Sequence, residues 1–226
     1  MNVTLNLVAE FEDIPNEKVH IFDPATGQVS VAIEASGRAN GLMFAPSGAL
    51  LICEGGNRQL TRKLGAEKNI LADRFEGKRL NSPNDLVLDG KGGIYFTDPR
   101  YGDRDDMEMQ IEGVYYLPRG GELQRVIDNM VRPNGLMFSP DKSILYVADN
   151  GAKTVIAYRV EEDGSLERIK KIADMAVDGM TMDMLGNLYC TGGPQVVVFA
   201  PDGERRVVIP VPEGTANCTF GGPEHK

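Results

Sequence analysis

The sequence has no tryptophan, only two histidines and only three cysteines. These shortages remove several chemistries at once. His20 and His225 do not form the paired-histidine motif of a zinc hydrolase, and they leave a Ser-His-Asp triad without support. Cys53, Cys190 and Cys218 make neither a CxxC pair nor an even disulfide set, so free buried thiols at strand positions are expected. No apolar run approaches the roughly 20 residues of a membrane helix. Met1–Glu10 also lacks the basic region and apolar stretch of a signal peptide, so a soluble, cytoplasmic chain is expected. Basic excess is missing too. With 24 Lys and Arg against 33 Asp and Glu, a net charge of −9 disfavours nucleic acid and anionic membranes and makes a cation the natural guest.

What is abundant is punctuation. The 26 glycines and 13 prolines of this 226-residue chain fall between short apolar runs, as where many tight turns join strands. One domain over residues 1–226 is expected. Self-similarity then decides its class. Four segments align: Asn40-Gly41-Leu42-Met43-Phe44, Asn84-Asp85-Leu86-Val87-Leu88, Asn134-Gly135-Leu136-Met137-Phe138 and Asp178-Gly179-Met180-Thr181-Met182. Each is followed by a second apolar run, at 49–54, 93–98, 144–149 and 187–191, and a fifth copy is read from Asn217. Two further alternating runs per unit complete four strands, so each unit reads as one blade of an all-β propeller, with sequence content for about five blades.

Propeller geometry converts the repeat into a candidate site. The first strand of each blade lines the central channel, so Asn40, Asn84, Asn134, Asp178 and Asn217 are expected to form a ring of carbonyl and carboxylate oxygens. Such hard donors suit Ca²⁺ better than a thiophilic metal.

The segments Arg79-Leu80-Asn81-Ser82-Pro83-Asn84-Asp85, Tyr95-Phe96-Thr97-Asp98-Pro99, Arg132-Pro133-Asn134-Gly135-Leu136 and Asp178-Gly179 resemble the regucalcin/gluconolactonase family of six-bladed propellers. The resemblance runs over nearly the whole chain and implies a metal-dependent lactonase acting on a small sugar lactone. It implies Ca²⁺, or another divalent ion such as Zn²⁺ or Mn²⁺, in the channel. Asn134 is then a metal ligand, Asp178 a ligand that also activates water as general base, and Asn84 a residue near both metal and substrate. A phosphotriesterase- or fluorophosphatase-like hydrolase and a calcium-binding propeller scaffold without turnover are the competing readings.

The family's Glu-Gly-Pro ligand segment has no counterpart here, and Glu12 stands at the outer end of a second strand. The chain is expected either as an incomplete six-bladed ring or as a five-bladed one, in which residues 216–220 join three N-terminal strands. Asp98 and Asp149 are expected to hold turns or neighbouring blades, with Glu54 at the matching place. The loop Asp103–Glu108 is expected in solvent with the option of covering a substrate. Met43, Met137, Met180, Met182 and Met184 are expected in the core.

Overall fold

The computed structural model describes residues 9–220. Readings made on residues 1–8 and on His225 lie outside them. Every element is a strand, and no helix among the described residues is long and apolar enough to cross a membrane. Blade 1 contains β1 (Ala9–Asp13), β2 (Lys18–Asp23) and β3 (Gln28–Ile33). Blade 2 contains β4 (Ala39–Phe44), β5 (Leu50–Glu54), β6 (Gln59–Leu64) and β7 (Glu67–Ala72). A small ribbon, β8 (Arg74–Phe75) with β9 (Lys78–Arg79), leads to blade 3: β10 (Leu86–Leu88), β11 (Ile94–Asp98), β12 (Gly113–Leu117) and β13 (Gln124–Ile127). Blade 4 contains β14 (Pro133–Phe138), β15 (Ile144–Asp149), β16 (Thr154–Val160) and β17 (Leu166–Ala173). Blade 5 contains β18 (Met180–Met182), β19 (Leu188–Thr191), β20 (Gln195–Phe199) and β21 (Arg205–Pro210).

Each sheet is an antiparallel meander in sequence order, and the inner strands follow one another, β4 beside β10, β10 beside β14 and β14 beside β18. The sheets therefore form the β-propeller that the repeat implied. Its core lies between blades. Tyr146, Val155 and Ala157 of blade 4 pack on Met180, Leu188 and Val197 of blade 5, while Leu51 and Leu60 of blade 2 pack on Phe96 and Tyr115 of blade 3. Met180 is buried, and Met43, Met137 and Met182 pack against the core, as expected. Met184 does not: it sits in the turn after β18 with 85% of its surface exposed. The alternation that placed it in the core stops at Met182, where the tight turn begins.

The recurring Asn-Gly pair has a local geometric cause. In blade 2 the register steps from Ala39 opposite Glu54 to Leu42 opposite Ile52, and in blade 4 from Pro133 opposite Asp149 to Leu136 opposite Val147. Two residues oppose one, which is a β-bulge that re-aims a side chain. Thr97 repeats the arrangement in blade 3, accepting from Asn84 N at 2.9 Å and donating to Asp85 O at 3.0 Å. Thr191 does the same in blade 5 with Asp178 N at 3.1 Å and Gly179 O at 3.0 Å.

The second residue of each bulge then touches the segment that follows it around the axis. Gly41 N donates to Asn84 O at 2.6 Å, Gly135 N to Asp178 O at 2.8 Å and Gly179 N to Ala216 O at 2.8 Å. Approach this close leaves no room for a side chain. A Cβ on Gly41 would lie 2.7 Å from Asp85 Cα, and one on Gly135 would lie 2.5 Å from Asp178 O. Blade 3 carries Asp85 instead of glycine, and there the carboxylate makes the crossing, accepting from Leu136 N at 3.3 Å.

Residues 211–220 add no strand to blade 1, which keeps three strands among the described residues. That segment runs beside blade 5, with Thr215 N donating to Gly193 O at 2.8 Å and Phe220 edge-on to Tyr189. The mixed blade expected from residues 216–220 is thus not formed among the described residues, because backbone bonding to Gly179 and Gly193 holds the segment against the preceding sheet.

Gly135→Ala is expected to lower unfolding free energy by about 1–3 kcal/mol in urea denaturation, because the strand must shift to admit the methyl group. Gly214→Ala, where a Cβ meets nothing within 4 Å, is the control and should change it by less than about 0.5 kcal/mol. Equal stability of the two variants would contradict the close-approach argument.

Candidate functional site

The bulges bring four of the five ring residues together. Asn40, Asn84, Asn134 and Asp178 line one cavity of about 580 Å³. Asn84 and Asn134 are buried, while Asn40 and Asp178 are half-buried. Asn134 Nδ2 donates to Tyr101 Oη at 2.7 Å, and the Asn134 side chain also hydrogen-bonds the Asp178 carboxylate. With its NH₂ group engaged, the Asn134 carbonyl oxygen is left to face an electropositive guest. Burial pushes the Asp178 carboxyl above its ordinary range, and the Asn134 hydrogen bond opposes that shift.

Asn217 is not part of this cavity lining, and the sequence register at this repeat was one residue out. Ala216 is the residue whose carbonyl accepts from Gly179 N, the place held by Asn84 and Asp178 in the preceding joints. Asn217 matches Asp85 instead: its Oδ1 accepts from Cys218 N at 2.8 Å, as Asp85 Oδ1 accepts from Leu86 N at 2.9 Å. The ring position of this copy therefore carries a methyl group, and Asn217 is exposed. Glu12 lies in β1 and outside the cavity lining.

Sequence reasoning passed over Asp85. It stands where the other aligned repeats carry glycine, and that departure was the available signal. Burial raises its carboxyl to about 6, the Leu86 and Leu136 N–H groups oppose the shift, and the charge of Asp178 adds to it. The two carboxylates therefore sense each other. The thiols are free as expected, and Cys53 and Cys190 are buried in strands, whereas Cys218 is only half-buried and lies in the strandless segment after β21. Burial, followed by the charges of Asp85, Asp98, Glu12 and Glu54, drives the Cys53 thiol well above its usual range.

Two acidic residues fix the segments that carry Asn84 and Asn134. Asp98 accepts from Asn81 N and Ser82 N, both at 2.7 Å. Asp149 accepts from Val131 N at 2.8 Å and Arg132 N at 2.9 Å. Glu54, at the matching place, turns back into its own blade and accepts from Asn57, Gln59 and Thr61 at 2.7, 2.8 and 2.6 Å. The loop after β11 comes over the cavity: Tyr101, Asp103 and Asp106 line it, and the Arg132 guanidinium lies 5.1 Å from the centre of the Tyr101 ring.

The donor set fits a hard cation. Amide oxygens of Asn40, Asn84 and Asn134 and the carboxylate of Asp178 are oxygen ligands of the kind Ca²⁺ accepts. Among the described residues no three His, Cys, Asp or Glu side chains gather as a metal cluster, so a thiolate or imidazole site is not offered.

Fold and site define a β-propeller with an oxygen-lined axial cavity. The family described as SMP-30/Gluconolactonase/LRE-like region matches residues 5–226, and the chain belongs to it. It is 32% identical to a gluconolactonase of Zymomonas mobilis, over 93% of this chain and 69% of that one. A solved gluconolactonase from Xanthomonas campestris superposes with a TM-score of 0.88 at 36% identity, covering 94% of this chain and 75% of that one. Bovine regucalcin is 25% identical over 95% of this chain and 75% of its own length.

Asp98→Asn leaves one buried backbone N–H without an acceptor, which costs about 1–3 kcal/mol. The expected result is a corresponding loss of unfolding free energy in urea. An unchanged midpoint would show that Asp98 does not hold the 81–84 segment.

Proposed function

We propose that the protein is a metal-dependent hydrolase that opens a sugar lactone. The observation that carries this reading is the convergence of Asn84, Asn134 and Asp178 on one cavity, in a chain 32% identical to a gluconolactonase. Asn134 and Asp178 are the residues that would hold the divalent cation, Ca²⁺ or a substitute such as Zn²⁺ or Mn²⁺, with Asn84 beside both cation and substrate. When bound, such an ion supplies Lewis-acid polarisation of the lactone carbonyl.

The chain's own residues do the rest. Asn84 donates to the substrate and fixes the ring in the cavity. Asp178 takes a proton from water as the water oxygen bonds to the carbonyl carbon, and that proton is then available to the ring oxygen as the C–O bond breaks. The product is the open hydroxy acid. Burial favours this role, because it raises the carboxyl toward the range in which a base both accepts and returns a proton. Asn134, bonded to both Tyr101 and Asp178, orients the carboxylate.

The test is hydrolysis of gluconolactone followed by pH-stat, after chelator treatment and again with Ca²⁺, Zn²⁺ or Mn²⁺ restored. Chelation should abolish activity and one of the ions should restore it. Asp178→Ala should lower kcat by about 10²–10⁴-fold, the range of a lost general base. Wild-type rates in Asp178→Ala would remove the assignment, and tight cation binding with no turnover would favour the scaffold reading.

A further inference from the structure

The cavity has a second pole that the hydrolytic reading does not use. Arg58, Arg79 and Arg100 line it together with Asn84 and Asp178. Arg58 sits in the β5–β6 turn with a left-handed backbone, φ 59°, and only 2% of it is exposed. Its guanidinium is fixed in place: Nε donates to Leu80 O at 2.6 Å, and Nη1 donates to Asp106 O at 2.9 Å and Asp106 Oδ2 at 3.1 Å. Its Nη2 is buried and meets no acceptor among the described residues.

Charges of both signs surround this guanidinium: Arg58 also acts on the buried Asp98, and Asp103 lines the same cavity. Arg79 and Arg100 both lie close enough to act on Arg58 electrostatically, against Asp106 and Glu108. Asp106 is shared, pairing with Arg100 Nη2 as well as with Arg58, and it is more than half exposed on the loop over the cavity. Glu108 is drawn to the backbone of Arg79 at 2.8 Å. A buried guanidinium with a free donor, beside two further cations, is a preformed receptor for an oxyanion.

We propose that Arg58, Arg79 and Arg100 form a subsite for an oxyanion carried by the substrate, a carboxylate or a phosphate, so that the cavity selects acidic sugar lactones over neutral ones. The proposal rests on the lactonase reading for its substrate class. Asp106 is the internal carboxylate that occupies part of this subsite when no ligand is bound.

Binding of open-chain sugar acids tests it without any turnover. Gluconate, glucarate and gluconate phosphorylated on its terminal hydroxyl are titrated calorimetrically into the full chain. The glucarate and phosphate arms distinguish the two sources of the anion. One of the two should bind at least about tenfold more tightly than gluconate, as expected for an added charge-assisted contact. Arg79→Gln and Arg58→Lys should each erase most of that advantage. Asp106→Asn, which removes the competing carboxylate and leaves the Leu80 anchor of Arg58 in place, should strengthen it, and this keeps the test open if Arg58→Lys fails to fold. Equal binding of all three acids overturns the proposal, and so does an advantage undiminished in Arg79→Gln or lost in Asp106→Asn. An anion preference in a protein that hydrolyses no lactone would sink the hydrolase reading and leave the subsite standing. Hydrolysis of neutral and acidic lactones with equal kcat/KM would do the reverse.

Discussion

The structure depends on one backbone contact made again and again around the axis: the amide N–H after a bulge reaches the carbonyl of the next blade's leading residue. The contact is 2.6 Å from Gly41 to Asn84 and 2.8 Å from Gly135 to Asp178. It is short because no Cβ intervenes, and it fixes where the leading residues Asn84 and Asp178 stand. Interior packing between sheets supplies most of the stability, but hydrophobic contact is indifferent to small rotations of one blade against another. The glycine contact is directional. It ties the position of Asp178 to blade 4 and that of Asn84 to blade 2.

From that constraint follows a cavity with separated poles. Around the axis stand amide oxygens and the carboxylate of Asp178, and over the blade 2 and blade 3 rim stand the arginines. In the proposed reading, such a division would put the cation and base at one end of a ligand and charge recognition at the other. The loop after β11 belongs to both, since Tyr101 holds Asn134 at 2.7 Å and Asp106 holds Arg58 at 3.1 Å.

Much of this was legible in the sequence. The spacing of Asn40, Asn84, Asn134 and Asp178 predicted the blades and the shared cavity, because equivalent positions of a closed repeat must converge. Asp98 and Asp149 were readable as hooks from their place at the end of a second strand. The fifth ring position was not readable in the same way. Asn217 offers the right side chain, yet hydrogen bonding from Gly179 selects Ala216, and a one-residue shift in a strandless segment leaves no hydrophobic phase to reveal it. Met184 failed for a related reason, since alternation continues in letters past the point where the backbone turns. The arginine pole was invisible because Arg58, Arg79 and Arg100 are scattered among turns and strand ends, and only tertiary contacts with the 99–112 loop gather them.

The most direct measurement of the central claim is anomalous scattering from crystals soaked in Mn²⁺. A single strong peak within ligand distance of both Asn134 Oδ1 and the Asp178 carboxylate, at about 2.0–2.6 Å for oxygen donors, is the expected result. A peak elsewhere, with none between these two residues, would contradict the account.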